Sequence, residues 1–90
     1  MADPRLTVVK MLLKMDSSEA YSNILLDKVF SETDLSDRDK AFAAALFYGV
    51  LERQLTLDYV IEKNSKIPFE KLDTAAVAVL RTGLYQLLYM

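Results

Sequence analysis

Three groups of side chains in this 90-residue chain have the type and spacing to hold a ligand or to pair internally. Arg5, Lys10 and Lys14 are cations within one N-terminal segment, and Lys10 and Lys14 stand four residues apart, one turn on a helix. Such a pair can touch phosphates; an ordinary solvated helix face is the alternative. Arg38 and Lys40 flank the start of another helical segment, where free main-chain N–H groups and the helix dipole suit a phosphate. Asp37 and Asp39 compete there for the same positive field. Arg53 and Arg81 lie near the apolar stripes of strongly hydrophobic helices, where a guanidinium should be paired. Asp39, Glu52, Asp58 and Asp73 are the candidate partners, and a structural salt bridge explains both arginines better than a ligand contact.

Much chemistry is excluded. Cysteine and histidine are both absent, which removes thiol nucleophiles, imidazole bases, disulfides and most zinc sites. No glycine-rich phosphate loop, metalloprotease motif or calcium loop occurs. Asp37 and Asp39 are two apart, do not share a helix face and are explained by capping, so the chain offers no catalytic residue and no metal site. Tyr48, Tyr59, Tyr85 and Tyr89 sit among apolar residues and read as packing groups with hydroxyls at the rim. The formal charge of −2 neither favours nor forbids an anionic partner, because a local patch can override the sum. The first apolar run is broken by Lys10, Lys14 and Asp16, unlike a signal peptide, and no stretch reaches the ~18 apolar residues of a membrane span. A cytoplasmic location and no membrane partner are the expectation.

These residues must be positioned by helices. Asp3 can cap and Pro4 suits the first helical position of a segment in which Leu6, Val9, Leu12 and Leu13 share a face. Asp16-Ser17-Ser18 closes it and opens a second helix, with Tyr21, Leu25 and Val29 in line and Leu26 and Phe30 widening the stripe. Ser36 is the N-cap of the third, with Asp39 three residues on to return a bond to the capping amide. Phe42, Leu46, Gly49, Val50, Leu57 and Ile61 form its stripe, and the span from Asp37 to Lys63 is long enough to predict a break between Glu52 and Thr56. Gly49 in mid-helix marks either a close backbone crossing or a kink. A loop with one turn after Pro68 leads to a terminal helix capped by Asp73 or Thr74. Its stripe is Val77, Leu80, Leu84 and Leu88, with Val79, Leu87 and Met90 towards another side. No segment alternates as a strand would. Residues 1–90 therefore read as one all-α domain, an irregular bundle of four or five helices.

The pieces "RLTVVKMLLKM", "AYSNILLDKVF", "LSDRDKAFAAALFYGVLERQLTLDYVI" and "KLDTAAVAVLRTGLYQLLYM" together resemble the NusB family. That family includes transcription antitermination factors and the N-terminal domain of bacterial 16S rRNA cytosine-5 methyltransferases of the RsmB/Sun type. The resemblance rests on Asp37, Arg38, Asp39, Tyr48, Gly49, Val50, Leu51, Asp58, Leu72, Arg81, Gly83, Tyr85, Gln86 and Leu87, and it is closer to the methyltransferase branch. It implies a NusB-like fold of about seven helices that recognises RNA, here 16S ribosomal RNA, and sometimes protein. Arg5, Lys10, Lys14, Arg38 and Lys40 are the RNA-binding candidates, while Ser36, Asp39, Gly49, Arg53, Asp58, Arg81 and Gly83 are structural. Relatives bind S-adenosylmethionine and carry two cysteines in a separate C-terminal domain. A cysteine-free chain cannot perform that reaction, so no cofactor is expected in this segment. In relatives the chain runs on past the "LYQLLY" motif into a further helix. The expectation is thus a domain cut before its last helices, whose bare apolar terminal helix drives self-association. An antitermination factor and a protein-binding helical module are the alternative functions.

Overall fold

A computed structural model describes residues 2–15 and 19–90, and the stretch Asp16-Ser17-Ser18 lies outside the described residues. Among the described residues the chain forms five α-helices and one 3₁₀ turn, with no strand. The helices are α1 (Pro4–Lys14), α2 (Glu19–Glu32), α3 (Asp37–Glu52), α4 (Gln54–Asn64) and α5 (Thr74–Tyr89), and the turn is Phe69–Lys71. This is the expected all-α bundle, and its five helices fall short of the seven that the family resemblance implies.

Local chemistry sets the element ends. Asp3 Oδ1 accepts from the amides of Arg5 and Leu6 at 2.9 and 3.4 Å, and Pro4 follows it where no N–H is needed. Ser36 Oγ accepts from Asp39 N at 3.1 Å and starts α3. The reciprocal half of that box is not formed: among the described residues no bond runs from the Ser36 amide to the Asp39 carboxylate, and Asp39 with Asp37 serves the positive helix end instead. The predicted break falls at Arg53, whose φ of −104° and ψ of 14° turn the chain between α3 and α4. Hydrogen bonding barely lapses there, since Arg53 N donates to Gly49 O and Leu57 N to Arg53 O. Asp73 holds the N-cap position of α5, but its side chain makes no capping bond.

The core is built from Val8 and Met11 of α1, Leu25 and Leu26 of α2, Ala43, Leu46, Phe47 and Val50 of α3, and Leu57 of α4. α1 lies across α3 and α5, and α5 in turn packs on α3 and α4. Burying side chains of this size is worth about 1.5–3 kcal/mol each, the main favourable term for a short chain.

Two stripes are rotated from their predicted positions. In α1 the buried residues are Val8 and Met11, while Leu6 and Leu13 are exposed. In α5 Val77, Ala78 and Thr82 are buried, while Leu80 and Leu88 are largely exposed. Both helices carry apolar residues on more than one side, so periodicity alone could not choose the inward face. In α2 Tyr21 is exposed and Ser22 is buried beside Leu25 and Leu26. The α3–α4 stripe is correct for Leu46, Gly49, Val50, Leu57 and Ile61, and Phe42 is half-buried at its edge.

Candidate nucleic-acid interface

α1 does not present its three cations together. Lys10 and Lys14 lie on one side, where with Thr7 and Met11 they line a groove against Val29, Glu32, Thr33 and Asp34 at the end of α2. Both lysines are exposed, and neither forms an ion pair with another described residue. Glu32 and Asp34 share the groove, so its floor is mixed in charge and the lysines are its cationic edge.

Arg5 points to the other side of α1. Its Nε donates to Gln86 Oε1 of α5 at 2.6 Å, and its guanidinium stacks 4.9 Å from the centre of the Phe42 ring. Gln86 is held in turn by its Nε2, which donates to Thr82 O at 3.1 Å. Arg5 therefore ties α1 to α3 and α5, a structural task that its sequence position did not suggest. It still shares a shallow depression with Arg38, Ser36 and Asp39 at the start of α3, and a guanidinium has five N–H donors, so its remaining donors can reach an anion there. Arg38 is exposed and Lys40 half-buried, and neither is ion-paired with a described residue. The five candidate cations thus form two separate sets, Lys10 with Lys14 and Arg5 with Arg38, with Lys40 in neither depression.

The structural candidates divide more sharply. Arg81 makes a fork with Asp58: Nε to Oδ1 at 2.7 Å and Nη2 to Oδ2 at 2.8 Å, with the side chains 21% and 23% exposed. This two-point geometry fixes α5 against α4 and is stronger than a single charged contact. Arg53, expected to have a carboxylate partner, instead lies 4.8 Å above the Tyr89 ring. At the exposed bend between α3 and α4 an aromatic face from α5 is within reach, and it stabilises the cation without desolvating a second charge. Gly49 is crossed by a side chain, and neither a second backbone nor a kink accounts for it. A Cβ there would meet the Tyr85 ring at 2.2 Å. Gly83 has no such reason, because a Cβ built on it meets nothing within 4 Å. Of the tyrosines, Tyr48 caps its packing with a hydroxyl bond to Asn23 Oδ1, and Tyr59 and Tyr89 are exposed.

Among the described residues no cluster of carboxylates could hold a metal ion, and no helix is long and apolar enough to cross a membrane. The arrangement can place cations against a phosphate backbone.

The chain is 34% identical over 79 residues to a probable ribosomal RNA small subunit methyltransferase B of Bacillus subtilis, a match covering 88% of this chain and 17% of that protein. The corresponding protein of Synechocystis is 33% identical, over 88% of this chain and 18% of its own length. The transcription antitermination protein NusB of Helicobacter pylori is 32% identical over 81 residues, which is 89% of this chain and 59% of that one. The chain thus spans under a fifth of the methyltransferase relatives. No solved structure gives a significant match. The NusB family model matches residues 2–90, and the chain belongs to the NusB family.

Proposed function

We propose that this chain is the RNA-gripping helical module of a 16S rRNA cytosine-5 methyltransferase, itself non-catalytic, which helps to position ribosomal RNA for a catalytic domain elsewhere in the enzyme. The observation that carries this is the pair Lys10 and Lys14, side by side on the exposed face of α1 and committed to no described carboxylate, in a NusB-family chain. The methyltransferase relatives add the enzyme context. Arg38 and the spare donors of Arg5 offer a second phosphate contact at the start of α3.

The methyl donor this reading implies is S-adenosylmethionine, and the residues of this segment do not fit it. Gly49 and Gly83 both lie inside helices, and no described strand leads into a glycine turn. Any role for the donor belongs to another part of the enzyme.

The test is filter binding of 16S rRNA fragments to the wild-type chain and to Lys10→Glu/Lys14→Glu at two salt concentrations. Phosphate contacts predict binding that weakens steeply with salt, and losing two of them should lower the slope of log K on log salt by roughly 1.4–1.8. The loss should be similar for different RNA sequences, because such contacts position and do not specify. Unchanged affinity in a folded double variant would assign that face to solvent. Absent or salt-independent binding would favour a module that touches only protein.

A second reading, a free antitermination factor, is favoured by one observation: the match to the Helicobacter pylori protein covers 59% of that relative. The reading frame around this segment separates the two, since only the first predicts an adenosylmethionine-binding glycine loop downstream.

A further inference from the structure

The groove beside α1 holds charges of both signs, and they come from different elements. Lys10 and Lys14 stand on α1, Glu32 is the last residue of α2, and Asp34 lies between α2 and α3. All four are exposed, and none is ion-paired among the described residues. Half-buried Val29, one turn before Glu32, adds an apolar wall. The groove has a volume of about 400 Å³, in the lower range of pockets that take a small ligand. It opens on the side of α1 turned away from Arg5, the residue that reaches α5.

This division of charge orients a nucleotide. The lysines attract its phosphate and the carboxylates repel it, so the base is left to the carboxylate edge. An ionised carboxylate only accepts hydrogen bonds. Among the RNA bases, guanine suits it best. The Watson–Crick edge of guanine offers two adjacent donors, N1–H and the N2 amino group, which match the two oxygens of one carboxylate. Adenine and cytosine each offer one amino group beside an acceptor. Uracil offers one N–H between two carbonyl oxygens, which a carboxylate repels. In a duplex these donors are taken by pairing, whereas an unpaired base presents them to protein.

From these observations we infer that the groove reads an unpaired guanine in single-stranded RNA. Lys10 and Lys14 hold its flanking phosphates, and Glu32 and Asp34 form the edge that accepts from N1–H and N2–H. The inference rests on the RNA-binding reading above and adds a base preference that phosphate contacts cannot supply. It also gives the carboxylates a task. Against a phosphate backbone alone, Glu32 and Asp34 would only weaken the hold of the lysines.

The test uses a short uridine oligoribonucleotide carrying one central guanosine, and its counterpart carrying inosine, which keeps N1–H but lacks the N2 amino group. In fluorescence anisotropy titrations the chain should bind the guanosine strand at least about fivefold more tightly, the lower end for a two-point base contact. Glu32→Gln/Asp34→Asn should bring that ratio close to one. The salt slope should stay as in the wild type, because both lysines remain, and helical circular dichroism should be unchanged. Salt-dependent binding with equal affinity for the two strands overturns this inference and leaves the RNA-binding reading standing. A guanosine preference that survives the double carboxylate variant overturns the assignment to Glu32 and Asp34. Absent or salt-independent binding of both strands overturns the RNA-binding reading, and this inference with it.

Discussion

Replacing Gly49 by alanine should destabilise the fold, although alanine is the better helix former. A Cβ at this position would lie 2.2 Å from Tyr85 Cζ, 2.3 Å from its Oη and 2.7 Å from Cε2. Carbon atoms in contact prefer about 3.5–4.0 Å, so the ring must retreat by more than about 1 Å. Its surroundings oppose that movement, because Tyr85 packs on the core and its ring centre is 5.1 Å from that of Tyr89. Forcing a methyl group into a filled site costs about 1–3 kcal/mol, and relief of the glycine penalty returns about 1 kcal/mol. The net loss is about 1 kcal/mol, and for a chain of this size each kcal/mol lowers the melting temperature by about 4–8 °C. Thermal unfolding followed by circular dichroism measures it. The decisive comparison is a change of sign. In a Tyr85→Ala background the space is open, and Gly49→Ala should then stabilise by about 1 kcal/mol. A Gly49→Ala variant as stable as the parent, or more so, would show that the ring swings aside freely and is not the reason for glycine.

Two further substitutions probe the ends and the joints of the helices. Ser36→Ala removes the acceptor for Asp39 N and should cost about 1 kcal/mol, read as a lower denaturant midpoint with the slope unchanged. Asp58→Ala strips Arg81 of both its bonds at a site only about a fifth exposed and should cost about 1–3 kcal/mol by the same assay; the Asp58→Ala/Arg81→Met double variant should recover part of that loss, because no charge is then left without a partner.

The parts of this protein that could be read from its sequence are those whose cause lies within a few residues. Asp3-Pro4 starts α1, Ser36 starts α3, and the turn after Pro68 precedes α5, because each signal acts on amides one to three positions away. The break at Arg53 followed from length, and the all-α class from the absence of any alternating segment. The list of candidate cations was likewise available, since charge belongs to the residue type.

Which partner each residue takes was settled only by the tertiary structure. Arg5 and Gln86 are 81 residues apart, and their bond, with the Phe42 ring beneath the guanidinium, removes Arg5 from the set it had been grouped with. Arg81 had four candidate carboxylates and takes Asp58, while Arg53 takes a ring. The inward faces of α1 and α5 were undetermined for the same reason. A helix that is apolar on several sides has no local preference for which side is buried, and the choice is made by the shapes of the helices it meets. By itself the sequence determined where α1 and α3 begin, where the long α3–α4 span breaks, and which charges were available. Long-range packing alone decided which of those charges tie the bundle together and which remain at the surface.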